Sequence, residues 1–467
     1  MLPGAPPGAT PVPRPPVTAP RMAHNGQVND PAATSPGPPD HPGSAPGAVD
    51  PAVSAFSALL TDEGRHLLTA LRDHDPAHEL ATATRLRREH PAELVSAALG
   101  QARLRQRAVA KFGAGDAHRM FFTPNGVEQA TRTSVAAYRA RRLSALGVRR
   151  VADLCCGIGG DAIALARAGI SVLAVDRDPL TCAVARANAE ALRLDGLIEV
   201  RRAEVTEVDT APYDAVFVDP ARRGGRGRVF DPEAYSPPLS WAIGAARRAP
   251  YAALKIAPGV PHEAVPEDAE AEWISDGGEV KEAVLWFAPA TGAPEGRPGA
   301  EADARTAAGS GGARIAPGTR RATLLPSGAS LPASGLPDPE AGPVGRYLYE
   351  PDGAVIRAHL VADVAAELDG GRLIDPTIAY ITADAFTPTP YATAYEITDA
   401  LPFNLKRLKA LLREREVGTL TVKKRGSAVE PEELRKRIKP KGPNAATVFL
   451  TRAAGAPVML IGRPAPR

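Results

Sequence analysis

The 467-residue sequence has few cysteines, few aromatic residues and no long apolar segment. Its three cysteines, at positions 155, 156 and 182, exclude a disulfide framework and are typical of a reducing compartment. No segment approaches the about 20 consecutive apolar residues that a membrane-spanning helix needs, and the first residues lack the apolar core of a secretion signal. Metal-ligand spacing of Cys and His is also absent. These absences predict a soluble, cytoplasmic protein without a membrane anchor or a metal ion.

Proline and glycine are abundant, with 48 and 43 residues, and they concentrate in two segments. Residues 1–52 consist mainly of Pro, Ala and Gly and contain no aromatic residue, so burial cannot offset the entropy of ordering them. We therefore predict a disordered tail. Residues 291–345 have a similar composition and are predicted to be a linker or insertion, with the apolar Ala322–Leu325 as a candidate edge strand.

Three segments in the middle of the chain place acidic residues at the ends of apolar strands. Residues 151–161 read VADLCCGIGGD, an apolar run that breaks into a glycine-rich turn and then into a helical pattern. Residues 174–178 read AVDRD and residues 216–220 read VFVDP, so Asp176 and Asp219 each follow a predicted strand. Glycines permit a sharp turn and a close ligand, and strand-end carboxylates bind ribose hydroxyl groups. The pattern predicts a nucleotide-cofactor site, although without the G-x-G-x-x-G spacing of dinucleotide sites.

The rest of the chain divides by its periodicity. Apolar residues at helical spacing over residues 53–118 predict a helical amino-terminal domain. Strand and helix patterns then alternate over residues 119–290, which favours a mostly parallel sheet. Residues 346–467 mix helices and strands. We therefore predict an α/β fold: a Rossmann-like core, the helical domain before it, and a small α+β domain after it.

The order of the three motifs resembles the class I S-adenosylmethionine-dependent methyltransferases. The resemblance implies an enzyme with S-adenosylmethionine as cofactor. It implies that Asp153 faces the methionine amino group through the turn, that Asp176 binds the ribose, and that Glu204 meets the adenine amino group. Gly157 and Gly159 would line the homocysteine moiety, and Cys155 stands where another glycine is common. The cofactor residues that the resemblance implies are Asp153, Cys155, Gly157, Gly159, Asp176, Glu204 and Asp219.

The acceptor motif of the resembled family is Asp/Asn-Pro-Pro-aromatic, which favours nitrogen methylation. Here it reads Asp219-Pro220-Ala221-Arg222, so the second proline and the aromatic residue are replaced. The aromatic ring stacks on a flipped base, and Arg222 could stack through its guanidinium plane instead. We take Asp219, Pro220, Arg222 and Lys255 as the candidate catalytic residues. Methylation at pyrimidine C5 is disfavoured, because it requires a cysteine nucleophile and no cysteine follows Cys182.

Positive charge concentrates in two segments, although the net charge is only +3. Residues 401–442 carry thirteen Lys or Arg and five Glu, and an Arg-Gly segment directly follows the acceptor motif. The carboxyl-terminal part resembles the THUMP-like domain of bacterial methyltransferase-like proteins, which implies RNA binding. Lys and Arg on one surface suit phosphate contacts. The candidate RNA-binding residues are Arg222, Arg223, Arg226, Arg228, Lys406, Arg407, Lys423, Lys424, Arg425, Arg435, Lys436 and Lys439.

The predicted function is therefore S-adenosylmethionine-dependent methylation of RNA, either tRNA or rRNA, at a base nitrogen. Two alternatives stay open. Asp219, Lys255 and Glu282 near successive strand ends resemble the Lys-Asp-Lys-Glu set of ribose 2′-hydroxyl methyltransferases. The departures at Cys155 and Ala221 also fit a non-catalytic protein that keeps the cofactor pocket and binds RNA as an accessory.

Overall fold

A computed structural model of the chain describes residues 50–221, 223–224, 227–228, 231–289 and 314–466. Nearly all of the predicted tail, the predicted site residues Arg222 and Arg226, residue 290, and residues 291–313 of the predicted linker or insertion lie outside the described residues. The helices are α1 Pro51–Ala58, α2 Asp62–Ala70, α3 Glu79–Leu86, α4 Ala92–Ala117, α5 Pro124–Gln129, α6 Thr133–Ala145, α7 Gly160–Arg167, α8 Pro179–Ala191, α9 Leu239–Arg248, α10 Gly353–Arg357, α11 Val361–Glu367, α12 Leu405–Glu414 and α13 Pro431–Ile438.

The described strands form two larger sheets and one small hairpin, in which each strand has two residues. The strands are β1 Arg150–Leu154, β2 Ser171–Asp176, β3 Ile198–Arg202, β4 Ala215–Val218, β5 Arg223–Gly224, β6 Gly227–Arg228, β7 Tyr251–Ile256, β8 Glu270–Asp276, β9 Glu279–Phe287, β10 Arg320–Leu325, β11 Ala329–Pro332, β12 Tyr347–Pro351, β13 Arg372–Asp375, β14 Ile378–Ala383, β15 Ala392–Pro402, β16 Val417–Lys424, β17 Asn444–Ala453 and β18 Ala456–Pro464. Among the described residues, no helix has the length and apolar character needed to cross a membrane.

The first sheet has nine strands in the order β11-β10-β8-β9-β7-β4-β1-β2-β3. Strands β3, β2, β1, β4 and β7 run parallel, and β9 is antiparallel to both of its neighbours. After β3 the chain crosses back over the sheet, and β4 pairs with the other side of β1. The carboxyl ends of β1 and β4 therefore border the crevice in which open α/β sheets bind ligands. The predicted Rossmann-like α/β core is thereby confirmed.

The segment predicted to be a linker or insertion contains two strands. Strands β10 and β11 both belong to the nine-stranded sheet, and β10 pairs in parallel with β8. The candidate strand at Ala322–Leu325 exists, but it is not at the edge because β11 covers it. Thr323, in the middle of β10, is fully buried beside Glu272. A buried polar pair therefore supports this strand in the interior of the sheet.

The amino-terminal helices are confirmed, and they share one apolar core with a face of the nine-stranded sheet. Two buried amide side chains fix the segment that leads from these helices to α5. Gln101 of α4 accepts the N–H of Phe122 at 2.9 Å and donates to its carbonyl at 2.8 Å. Asn188 of α8 does the same for Phe121, at 2.6 Å and 3.1 Å, and also donates to the carbonyl of Ile158 at 2.9 Å. The position of α5 is thus tied to both neighbouring helices.

The second sheet has seven strands in the order β13-β14-β12-β15-β18-β17-β16, antiparallel except for β16 and β17. It curls, because the N–H of Ala454 at the β17–β18 turn donates to the carbonyl of Ile374 in β13. Helices α12 and α13 pack on one face through a separate apolar cluster. In contrast, α10 packs against β8, β9 and β10 of the nine-stranded sheet, α11 packs against β14, and both helices belong to one apolar cluster with the nine-stranded sheet. The carboxyl-terminal part therefore contributes to the core of both sheets.

We expect Asn188→Ala to lower the free energy of unfolding by about 3 kcal/mol, because the N–H of Phe121 and the carbonyl of Ile158 lose their partner inside the core. Denaturant unfolding followed by tryptophan fluorescence measures the change. Asn444→Ala is the matched control, since its amide donates to the carbonyl of Arg415 at an exposed position. Equal losses in the two variants would contradict the role assigned to Asn188.

Candidate functional site

A cavity of about 780 Å³ opens at the carboxyl ends of β1, β2 and β4. The turn after β1 and the residues after β2 form one end of it. The segment that joins α5 to α6 and the residues after β4 form the other end, and α5 lies against the turn, because a Cβ on Gly126 would clash with Ile158. The volume is within the range of about 300–1,000 Å³ that is typical of ligand pockets. We call these two parts the turn end and the strand-β4 end.

The turn after β1 has three residues in the left-handed region of backbone conformation. Cys155 has a φ of 66°, Gly157 a φ of 56° and Gly159 a φ of 84°. Only glycine adopts this region without strain, so Cys155 keeps the conformation of the glycine that it replaces. A Cβ atom on Gly157 would meet nothing within 4 Å, because it would enter the open cavity. A Cβ on Gly159 would instead touch Ala185 of α8 at 3.7 Å.

Two carboxylates mark the turn end. Asp153 is fully buried, and neither of its oxygens has a hydrogen-bond partner among the described residues. Burial raises the pKa of Asp153, and the neighbouring carboxylates of Asp161 and Asp219 raise it further. Asp176 accepts the N–H groups of Gly157 at 3.1 Å and Asp178 at 3.0 Å, which tie β2 to the turn. An unpartnered buried carboxylate at a cavity wall is suited to a cationic group of a ligand.

An ion pair occupies the strand-β4 end. The ammonium of Lys255 donates to Oδ2 of Asp219 at 2.6 Å and to Oγ1 of Thr131 at 2.9 Å. Burial alone would lower the pKa of Lys255, but the carboxylates of Asp219, Glu282 and Asp161 outweigh it and the pKa is raised. Lys255 is therefore a cation at neutral pH. The Asp219 side chain is 24% exposed and lines the cavity.

Arg139 of α6 joins two carboxylates that line the cavity. Its guanidinium is 1% exposed, bonds to Asp161 at the start of α7 and to Glu282 of β9, and lies over the ring of Phe217 at 4.4 Å. Asp161 and Glu282 both line the cavity. One buried cation thus balances two of the carboxylates around the site.

The structure brings most of the predicted cofactor and catalytic residues together, but not all of them. Glu204 is exposed and does not line the cavity, and neither does Gly159. Arg223 and Arg228 lie in the short strands β5 and β6 after the acceptor motif. The predicted residues that do line the cavity are Asp153, Cys155, Gly157, Asp176, Asp219, Pro220 and Lys255.

The predicted RNA-binding residues of the carboxyl-terminal part separate into two groups. Lys423, Lys424 and Arg435 form ion pairs with Glu350, Glu430 and Glu432. Arg425 donates to the carbonyl of Ala379 at 2.8 Å. The second group is exposed and has no ion-pair partner among the described residues: Lys406, Arg407, Lys436 and Lys439. The first group supports the fold, and only the second group remains available on the surface.

Sequence reasoning missed several residues of the site. Arg139 lies in a helix that contains several arginines, so nothing in the sequence distinguishes the buried one. Thr131, in the segment that joins α5 to α6, and helix α5 itself also line the cavity, and their sequence carries no motif that indicates this.

Three family models match the chain: a methyltransferase domain over residues 151–221, a THUMP domain-like model over residues 392–464 and a domain of unknown function over residues 52–108. Two sequences from Mycobacterium tuberculosis, strains CDC 1551 and H37Rv, are each named an uncharacterized S-adenosylmethionine-dependent methyltransferase. Each is 33% identical over 357 residues, which cover 75% of this chain and 90% of the relative. The chain belongs to the S-adenosylmethionine-dependent methyltransferases.

A solved structure confirms the fold of this methyltransferase. A methyltransferase-class protein from Porphyromonas gingivalis W83 superimposes with a TM-score of 0.65 and 22% identity, over 84% of this chain and 99% of that chain. The cofactor of the methyltransferase is S-adenosylmethionine. The cavity suits this cofactor on chemical grounds. The carboxyl group of Asp153 has no partner among the described residues, and the cofactor carries an ammonium group that could pair with it.

We expect Gly157→Ala in the methyltransferase to lower the affinity for S-adenosylhomocysteine at least tenfold, because the new methyl group enters the cavity. Gly147→Ala is a matched control: its φ is 80°, its Cβ would also meet nothing within 4 Å, and it lies outside the residues that line the cavity. Each variant should lose about 1–2 kcal/mol of stability from backbone strain. Calorimetric titration separates the two effects, and equal affinities would contradict the assignment.

We expect Asp153→Asn to change how stability depends on pH. The raised pKa means that the folded state binds a proton more tightly than the unfolded chain, so its stabilising contribution is complete below about pH 4. That contribution is lost as the pH rises towards the folded-state pKa. The wild type should therefore lose stability relative to Asp153→Asn as the pH rises from about 4 upward. Thermal unfolding of both proteins across this range measures the difference, and parallel pH profiles would contradict it.

Proposed function

We propose that this methyltransferase transfers a methyl group to a nitrogen of an RNA base held at the strand-β4 end of the cavity. The observation that carries the proposal is the Asp219 carboxylate, which lines the cavity directly after β4 and is followed by Pro220. An amine acceptor needs hydrogen-bond acceptors that orient its lone pair towards the methyl donor. Asp219 provides such a group.

The turn end is proposed to hold the cofactor. Asp176 is oriented by two backbone N–H groups and has lone pairs left for ribose hydroxyls. Gly157 gives the ligand access to the backbone, and the methionine ammonium would pair with Asp153 and favour the ionised form of its carboxyl group. When bound, S-adenosylmethionine supplies an electrophilic methyl group on a sulfonium. Glu204 has no part in this proposal, because it does not line the cavity.

The protonation state of Lys255 favours nitrogen over oxygen as the acceptor. A hydroxyl acceptor must lose its proton to a base, and the Lys255 ammonium, with a raised pKa, cannot serve as that base. An amine acceptor is nucleophilic without prior deprotonation and releases its proton after transfer. Burial also raises the pKa of Cys155 and Cys156 at the turn, so both are thiols and neither suits a covalent route at a pyrimidine.

RNA is proposed as the substrate on three grounds. The THUMP domain-like match covers residues 392–464, the exposed basic residues of α12 and α13 suit phosphates, and cationic side chains lie around the cavity. Arg132, Arg177 and Lys281 line the cavity, as do the exposed carboxylates of Glu128 and Asp178. A polyanion is attracted to these cations.

Ribose 2′-hydroxyl methylation is the second candidate. Lys255, Asp219 and Glu282 line the same cavity, and the Arg139 guanidinium supplies a fourth charged group beside them. Nucleoside analysis separates the two candidates, since a ribose methyl survives on the sugar and a base methyl on the base. A non-catalytic accessory protein would bind the cofactor and RNA and form no S-adenosylhomocysteine.

We expect Asp219→Asn to reduce methyl transfer by about 100-fold or more, while S-adenosylhomocysteine affinity stays within threefold of the wild type. The amide oxygen would turn to the Lys255 ammonium, and the amide NH₂ group would then face the donor hydrogens of the amine. The assay measures transfer of tritium-labelled methyl groups to total RNA from a strain that lacks the gene, followed by mass spectrometry of the nucleosides.

The matched control is Asp268→Asn, which removes an exposed carboxylate paired with Arg247 outside the cavity. It should leave transfer unchanged. Full activity of Asp219→Asn would contradict the acceptor role. Cofactor binding by the wild type without any methyl incorporation into RNA would contradict the proposed function as a whole.

A further inference from the structure

Helices α12 and α13 lie side by side on one face of the seven-stranded sheet. Leu408 and Leu412 of α12, with Leu434 and Ile438 of α13, are buried in the same apolar cluster. The Lys409 ammonium joins the helices, because it donates to the carbonyl of Arg437 in the last turn of α13 at 3.4 Å. The outward sides of the two helices therefore form one continuous surface.

That surface carries more positive charge than its local ion pairs neutralise. Lys406, Lys409 and Arg413 are spaced at i, i+3 and i+7 along α12, which places them on the flank that reaches α13. The acidic residues at the start of α13 are already neutralised, since Glu432 pairs with Arg435 and Glu433 with Arg437. Within the described residues, no carboxylate forms an ion pair with Lys406, Arg407, Arg413, Lys436, Lys439 or Lys441.

An exposed aromatic ring adjoins this cationic surface. Phe403 is 39% exposed, one of four large apolar side chains that stay exposed among the described residues. It directly precedes Asn404, which caps α12, and its N–H donates to the carbonyl of Pro457 at 3.2 Å. Lys406 and Arg407 follow within one helical turn. The backbone of Phe403 is therefore fixed, and its side chain is partly exposed to solvent.

We propose that this surface, made by Phe403 and the exposed cations of α12 and α13, binds single-stranded RNA with one base stacked on the Phe403 ring. The proposal rests on the proposed RNA substrate and narrows it. The Lys and Arg side chains without ion-pair partners would bind phosphate groups. The exposed ring of Phe403 would stack on a base. Bases inside a duplex are stacked on one another and cannot reach the ring, so single strands are preferred over duplex RNA.

The test is fluorescence anisotropy of the full-length protein with a labelled 12-nucleotide uridine oligomer and with a 12-base-pair RNA duplex. Phe403→Leu should weaken binding of the uridine oligomer by about 5- to 100-fold, the range of one lost stacking contact. Phe403→Trp should retain it, and duplex binding should change little in either. Leu80→Ala, at an 80% exposed position of α3, is the matched control and should bind as the wild type does.

A charge variant tests the second half of the surface. Lys406→Gln with Arg413→Gln should reduce the slope of log affinity against log salt by about 1.4, at about 0.7 for each lost phosphate contact with a single strand. Arg435→Gln, whose guanidinium is paired with Glu432, is the control and should leave the slope unchanged.

Unchanged uridine-oligomer binding in Phe403→Leu, or an unchanged slope in the double variant, overturns the proposed surface. If the wild type still methylates RNA in that case, the proposed function stands and only this surface is wrong. A wild type that binds S-adenosylhomocysteine but neither binds the oligomer nor methylates RNA overturns both.

Discussion

The site depends on one buried guanidinium, that of Arg139. It satisfies Asp161 from the first turn of α7 and Glu282 from an antiparallel strand, and so joins the two ends of the cavity. Without it, two further carboxylates would be unbalanced in a region that already contains the unpartnered Asp153. Such an arrangement costs several kcal/mol for each uncompensated charge. Arg139 is what allows an acidic cavity to exist in a folded core.

A second buried arginine of α6, one helical turn after Arg139, also pairs with two buried carboxylates. Arg142 of α6 bonds to Glu270 at 2.7 Å and to Glu272 at 2.8 Å, both fully buried in β8, and Arg321 of β10 shares Glu270 at 2.9 Å. These contacts connect α6 to the added strands β8 and β10. The nine-stranded sheet is thus held on one side by apolar packing and at its far end by buried ion pairs. Neither alone explains why β10 and β11 extend the sheet.

The sequence predicted the elements whose burial follows from apolar residues. The cofactor turn, the strands before Asp176 and Asp219, and helices α12 and α13 show this, because each has an apolar core pattern or a glycine turn. Strand β8 was missed because Glu270 and Glu272 alternate with apolar residues, a pattern typical of a surface strand, whereas both are buried against arginines. Glu204 was assigned from family position alone; it lies outside the residues that line the cavity, and its contact with adenine stays a prediction. Long-range ion pairs have no local signature, and this part of the site could not be predicted.

Helices α10 and α11 show that the matched family segments do not have separate apolar cores. They belong to the carboxyl-terminal part by sequence, yet α10 packs against β8, β9 and β10, and α11 shares the same apolar core. The catalytic and carboxyl-terminal segments are therefore not interchangeable modules. A chain that ended before residue 347 would leave one face of its own sheet uncovered. Insertion, exchange or separate inheritance of either segment is constrained by this shared core, and the two must evolve as a single cooperative unit.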